Sequence, residues 1–297
     1  MIQPMQGDAT LDGGLVDIAL RHAPHTGFTD TDVLGLRFYR QDTPSLEPMP
    51  VVYEPSVCVI VQGEKRLRFG ERILTYDPGH YLVNALTVPI EAEIPEASAE
   101  RPFLGFLLRF ESVQLGKLLA EIDERPEPDE AIWQTMDTCR LDDDLVRAFT
   151  RLLRCLDDST DLRILAGSLV REILYEVLRG PGGHLLRAQA ARGGRARQVG
   201  QAVAFVEANY REPLTVDAIA REAAMSPSAL HQHFKQLTAL SPMQYVQRYR
   251  LHQARALLHN GHAAAEAGHE VGYRSPSQFS REFRRLFRVP PSQVRAS

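Results

Sequence analysis

Two stretches in the last third of this 297-residue chain carry side chains suited to touching the edges of DNA bases. In LTVDAIAREAAMSPSALHQHFKQL (214–237), Ser226 and Pro227 mark a helix start. Serine caps a free backbone N–H, and proline at the first helical position has no N–H to leave unsatisfied. On the helix that follows, Leu230, Phe234 and Leu237 recur at i, i+4 and i+7 and face inward. Ser228, His231, Gln232 and Lys235 are left outside, short or hydrogen-bonding groups fit for a major groove. The layout recurs in HAAAEAGHEVGYRSPSQFSREFRRLF (262–287), where Gly272 makes the turn and Ser275 and Pro276 open the second helix. Gln278 is placed there for a reciprocal capping-box contact. Phe279, Phe283 and Leu286 point inward, while Ser277, Gln278, Arg281, Arg284 and Arg285 stay outside or on the rim. Arg281 can hold guanine through two hydrogen bonds, and Gln232 or Gln278 can do the same with adenine. One such unit could be an ordinary helical hairpin. Two with matching S-P-S starts and matching aromatic anchors predict helix-turn-helix units at 214–235 and 262–285, with double-stranded DNA as partner.

Other chemistries find little support. His80, in a Pro-Gly turn, is the single histidine between residues 31 and 110, whereas a metal cupin presents several on adjacent strands. His231 and His233, two apart on a helix, point in different directions. No G-x-S-x-G and no phosphate-cradling glycine loop occurs. No catalytic residue, metal site or cofactor is predicted. Cys58, Cys139 and Cys155 are widely spaced and odd in number, which excludes a disulfide scaffold and fits a reducing cytosol. Cys58 lies in the apolar run SVCVIVQG and reads first as a small buried hydrophobe. Cys58 and His80 are the candidate effector contacts, with Cys58 in the sharper version a thiol sensing an electrophile.

The elements that position these groups follow from periodicity. Residues 1–30 read as a tail with a short helix near Gly14 to Arg21. From 31 to 110, short apolar runs separated by turns at Gly70 and Pro78-Gly79 predict a small antiparallel barrel or sandwich. From 111 to 180 the period is helical: Leu145, Phe149, Leu152, Leu153 and Leu156 form one stripe, and Leu162, Leu165, Leu169, Ile173 and Val177 another. Part of this helical pair is a candidate dimer contact. PGGHLLRAQAARGGRA (181–196) reads as a flexible or partly helical linker, leaving 197–297 as the DNA-binding domain. Within it, SPMQYVQRYRLHQARALLHN (241–260) can form one helix of about 18 residues, ~27 Å long, between the two units.

Charge follows the same division. Residues 196–297 hold 13 Lys+Arg against 7 Asp+Glu, a net of +6, and residues 1–195 hold 21 against 31, a net of −10. The basic back suits a polyanion that the acidic front would avoid. No run approaches the ~20 apolar residues of a membrane span, and the start carries no secretory leader, so a cytoplasmic location is expected.

The back half resembles the DNA-binding domain of the AraC/XylS family of bacterial transcription regulators. The matching residues are A-x2-A-x-MS-x3-L-x3-F from Ala220 to Phe234, SP-x2-Y-x4-R-L-x2-A-x2-LL from Ser241 to Leu258, and the GY-x-S-x-SQFSREF stretch continuing to Ser292. In the front half, EPSVCVIVQGEKRL, YDPGHYLV and ERPFLGF resemble the cupin-like N-terminal domain of one subgroup. The resemblance implies an α+β multidomain fold: a cupin-like β-barrel with following helices, then an all-α double helix-turn-helix. It also implies a small-molecule effector, such as an aldehyde or related metabolite, a homodimer formed through the helical region, nucleoid association when bound to DNA, and RNA polymerase as a partner if the protein activates. Three positions depart from the family pattern: Ala239 and Arg288 stand where glycine is usual, and Gly268 where alanine is usual. The glycine costs up to about 1 kcal/mol in a helix interior, so the second unit is expected to be the looser one. Two other classes compete, a cupin-type enzyme and an effector-free architectural DNA-binding protein. The second would not need a front half with its own core.

Overall fold

The computed structural model describes residues 13–45, 47–122, 134–190 and 194–294. The chain opens with helix α1 (Gly13–His22), then lays down β1 (Gly27–Asp30), β2 (Leu36–Gln41), β3 (Met49–Tyr53), β4 (Ser56–Gln62), β5 (Lys65–Phe69), β6 (Arg72–Tyr76), β7 (His80–Asn84), β8 (Val88–Glu93) and β9 (Phe103–Arg109). Helix α2 (Ser112–Glu121), strand β10 (Met136–Arg140) and helices α3 (Asp143–Arg154), α4 (Ser159–Arg179) and α5 (Gly183–Ala190) complete the front half. The back half is helical: α6 (Arg195–Asn209), α7 (Val216–Glu222), α8 (Pro227–Thr238), α9 (Pro242–His259), α10 (Ala264–Glu270) and α11 (Pro276–Phe287). Among the described residues no helix is long and apolar enough to cross a membrane.

The strands form two sheets, one ordered β1-β2-β9-β4-β7-β10 and the other β3-β8-β5-β6, antiparallel at each pairing. Strand β4 explains why SVCVIVQ is apolar at nearly every position. Val57, Val59 and Val61 join the core shared with the helices, while Cys58 and Ile60 join the core between the sheets. Alternate side chains leave a strand on opposite faces, so a strand packed on both sides has no polar face to show. The stripe on α3 buries Leu145, Phe149, Leu152 and Leu153 against Ile173 and Val177 of α4. Asp142 caps α3 by accepting the Leu145 N–H at 2.8 Å.

Three local features differ from the sequence expectation. The first strand begins at Gly27, inside the segment predicted as tail, because GFTD pairs with β2 in register from Gly27 opposite Arg40. The region predicted as helical contains β10, which pairs along β7 and closes an edge that would otherwise expose unpaired backbone groups. The linker, expected to be flexible or partly helical, is helical as α5, and the difference is that Leu185, Leu186 and Ala188 are buried in the core. Its glycines are packing devices: a Cβ at Gly182 would lie 2.6 Å from Val83 Cγ2, and one at Gly183 1.9 Å from the Leu178 carbonyl oxygen. The second helical stripe is buried only from Leu169 onward, and Ile164 and Leu165 of α4 are exposed.

The two halves share contacts. Leu86 of the barrel lies in the apolar cluster around α8, and Ala239 packs on the cluster between the sheets. The Thr135 hydroxyl donates to the Leu237 carbonyl at 2.9 Å, and the Tyr245 hydroxyl donates to the Thr87 carbonyl at 3.0 Å. Helix α9 packs on β3 and β8, and α11 on β3.

Candidate nucleic-acid interface and barrel cavity

Each helix-turn-helix unit is built on a serine cap. Ser226 accepts the Ala229 N–H at 3.2 Å and Ser275 accepts the Gln278 N–H at 3.3 Å, each followed by proline at the first helical position. On α8 the inward face is Leu230, Phe234 and Leu237, and Ser228, His231, Gln232 and Lys235 are exposed. On α11 the inward face is Phe279 and Phe283, and Ser277, Gln278, Arg281, Arg284 and Arg285 are exposed. Among the described residues, Arg281 and Arg284 make no ion pair with an acidic neighbour, leaving both guanidinium groups open to an outside anion. The reciprocal capping-box contact expected of Gln278 is a correction. Its backbone N–H reaches Ser275, but its side chain donates to Glu282 at 3.1 Å, since a carboxylate one helical turn on outcompetes the cap N–H. The full box forms instead at the start of α9, between Ser241 and Gln244.

The departures from the family pattern acquire physical reasons. Ala239 and Arg288 end α8 and α11 in the left-handed conformation, at φ 60° and 64°, where glycine is unstrained. Gly268 is required by packing: a Cβ there would lie 2.8 Å from Cδ1 of the buried Phe279 ring. Its cost in helix propensity is offset by close approach of α10 to α11, so looseness of the second unit does not follow from it.

Between the sheets lies a cavity of about 600 Å³, within the range of small-molecule sites. Its walls include Val51, Ile60, Ala92, Ile94 and Phe103, and one end is closed by His252, Arg255, Ala256 and His259 of α9. These four fall at i, i+3, i+4 and i+7, one helical face. Lys65 points into the cavity, its Nζ 5.0 Å from the Tyr39 ring centroid, 5.4 Å from Tyr53 and 5.7 Å from Phe103. Burial alone would push the ammonium pKa down, but the Tyr53 and Tyr39 hydroxyls outweigh it and hold the group above its usual value. Burial, with Arg255 and Arg248 nearby, drives the His252 imidazole down to about 3, so it is neutral, and its Nε2 is shielded from solvent without a hydrogen-bond partner.

The two predicted effector residues part company. Cys58 lines the cavity, but burial pushes its thiol pKa up, the reverse of what a reactive thiolate needs. His80 does not line it: the ring is exposed at the start of β7 and pairs with Asp77 at 2.7 Å. That expectation is corrected because the Pro-Gly turn sits outside the sheets' interior. Sequence reasoning missed Lys65, Tyr39, Tyr53, His252 and Arg255. The alternation in KRLRF carried a signal, since Lys65 shares a face with Leu67 and Phe69.

Comparison with known proteins follows the same division. Residues 32–185 match the family model of the AraC-type transcriptional regulator N-terminus, and residues 219–297 match a helix-turn-helix domain model. The HTH-type transcriptional activators RhaS of Salmonella schwarzengrund and Salmonella agona are each 32% identical over 154 residues, covering 50% of this chain and 53% of the relative. The chain thus matches about half the length of these curated relatives. Among solved structures, Vibrio cholerae ToxT bound to (E)-4-(8-methylnaphthalen-1-yl)but-3-enoic acid aligns with a TM-score of 0.63 at 11% identity, covering 87% of this chain and 96% of that one. Unsaturated fatty acid-bound ToxT aligns at 0.59 and 10% identity, over 87% and 93%. At that identity the likeness is one of fold.

Proposed function

The chain belongs to the AraC-type transcriptional regulators, and from that premise we propose that it couples a small molecule in the barrel cavity to DNA binding by α8 and α11. One observation carries the coupling: helix α9 belongs to both sites. His252 and Arg255 line the cavity, and the same two side chains pack on Phe287 at the end of α11, with centroid separations of 5.2 Å for His252 and 5.0 Å for the Arg255 guanidinium carbon. An occupant that shifts this face of α9 shifts the base of the second recognition helix. Such a shift needs different affinity for two arrangements of the protein, and coupling of this kind is commonly about 1–3 kcal/mol. ToxT, which shares this fold, is solved bound to two small organic acids, which supports a small-molecule occupant here.

In this reading Ser228, His231, Gln232 and Lys235, with Ser277, Gln278 and Arg281, face base edges or the adjacent backbone. Arg284 and Arg285, later on α11, meet phosphates. The protein acts in the bacterial cytoplasm as a regulator without catalytic activity, and contacts RNA polymerase where it activates.

The test fills the cavity from the α9 side. Ala256→Trp places a large ring in the space while altering an exposed position, and duplexes selected from a random pool supply the ligand DNA. Operator affinity should change by roughly five- to 150-fold with the circular-dichroism melt unchanged. Unaltered affinity would remove the coupling.

Self-association is assigned to the helical region, where Ile164 and Leu165 of α4 are 66% and 40% exposed. A double Ile164→Asp, Leu165→Asp variant should sediment as a monomer where the parent sediments as a dimer. A dimer undisturbed by both charges would place the interface elsewhere.

A further inference from the structure

We propose that Glu282 is a positioning residue for base readout: its carboxylate holds the Gln278 amide in one orientation, and Gln278 so held selects adenine at one position of the operator. This rests on Gln278 facing base edges, and adds the residue that sets which end of its amide a base meets.

The first observation is where the amide goes. Gln278 sits in the first turn of α11, where a glutamine can turn back to the N-cap backbone N–H. Its Nε2 instead donates to Glu282 Oε1 at 3.1 Å. The other carboxylate oxygen is held as well: Glu282 Oε2 accepts the Tyr273 hydroxyl at 2.7 Å. Tyr273 is buried in the cluster beneath α11, its ring 5.3 Å from that of Phe279. A buried ring thus fixes the carboxylate, and the carboxylate fixes the amide. Burial works to raise the Glu282 carboxyl, but hydrogen bonds from Gln247, Tyr273 and Gln278, with Arg285 nearby, hold it below the usual carboxylate range. An ionised carboxylate only accepts, so it takes the NH2 end of the amide and never the carbonyl end. That leaves the second N–H and Oε1 of Gln278 for a base, in one fixed order. Adenine presents the matching pair, an N6–H donor beside the N7 acceptor. Turned over, the same amide would set donor against donor and acceptor against acceptor.

The second observation is that the pair belongs to one unit only. Counted from the two Ser-Pro starts, Gln278 matches Ala229 of α8, and Glu282 matches His233. Alanine has no amide to orient. The aromatic anchors that the two units share, Phe234 and Phe283, are buried in both, so the common packing does not require a glutamate beside them. Nor does general affinity for DNA. Glu282 puts a negative charge on a helix that exposes Arg281, Arg284 and Arg285, and phosphates repel it. That repulsion weakens binding to every duplex, and selectivity at one base pair offsets it.

Binding curves of the full chain and its variants on single-base variants of an operator, selected from a random duplex pool, read the positioning directly. Gln278→Ala should erase an adenine preference at one base pair and so identify that pair. Glu282→Ala removes the tether, and Glu282→Asp keeps the charge but draws the carboxylate back by one methylene. Each should weaken the preference at that same pair about threefold or more, the worth of one modest hydrogen bond. Added to Gln278→Ala, Glu282→Ala should change nothing further at that pair. Glu282→Ala should also bind unrelated duplexes more tightly, having lost a negative charge, and Glu282→Asp should not. Glu282→Asp carries the test should Glu282→Ala melt below the assay temperature. An adenine preference intact in both Glu282 variants would overturn the proposal and leave base reading by Gln278 standing. A loss spread equally over all base pairs, or one that persists without Gln278, would also overturn it, since a merely structural residue gives that result. So would an erased preference for a base other than adenine. A Gln278→Ala protein with every base preference unaltered would remove both the proposal and the reading beneath it.

Discussion

Phe279→Ala will destabilise the second helix-turn-helix unit by about 3–5 kcal/mol, the usual cost of removing a buried aromatic ring. The ring is 1% exposed and packs on Tyr273 at 5.3 Å and Phe283 at 5.5 Å between centroids. It also fills the space that Gly268 leaves open on α10. Alanine would leave a cavity bordered by two rings and a glycine that cannot grow to fill it. Leu251, Ala254 and Leu258 of α9 share this cluster, whereas Tyr245 and Val246 at the other end of α9 belong to the cluster around α8. Local opening should therefore be confined to one end. Hydrogen exchange should show amides of residues 262–287 losing protection while residues 214–237 keep theirs. Equal loss in both segments would mean that the back half unfolds as one cooperative core.

The DNA-binding half was legible because its signals are local. Ser226, Ser241 and Ser275 each precede proline, and each caps a helix in the structure. The 18-residue span of α9 followed from the Ser241-Pro242 start and an uninterrupted helical pattern. The barrel was legible as a class, since alternation and turns report strands, but its pairing order joins β9 to both β2 and β4 across long loops. No local pattern encodes such distant pairing. The cavity residues were missed for the same reason. Lys65 and Arg255 are 190 positions apart, and only the docking of α9 across β3 and β8 brings them to one space. His80 looked chemical because histidine is rare in the barrel, yet rarity says nothing about which way a turn faces. Of the two options the composition left for residues 181–196, flexible or partly helical, α5 takes the helical one, and the glycines beside it serve as close contacts.

Arg281→Ala is expected to lower affinity for the preferred operator by about 1–3 kcal/mol and to erase the preference at one base pair. The side chain stands on the exposed face of α11, in its second turn after the proline start, with no acidic partner among the described residues. Arg285 is one turn further on, in the last turn of the helix. Arg285→Ala should weaken preferred and unrelated duplexes alike, and reduce the dependence of log Kd on log salt by about one. Binding curves for a set of single-base operator variants, each at several salt concentrations, separate the two outcomes. Base preference unaltered in Arg281→Ala would show that α11 does not read sequence through this residue.

The central claim is that both units contact DNA at once, held apart by α9. Eighteen residues at 1.5 Å rise give a spacer of ~27 Å, suited to successive major grooves on one face of a duplex. Hydroxyl-radical footprinting of the full chain on a selected operator measures this directly. Two protected blocks with centres about 10–10.5 base pairs apart are predicted, the one assigned to α11 fading in Phe279→Ala. A single block of half that extent, unaltered by Phe279→Ala, would contradict the account.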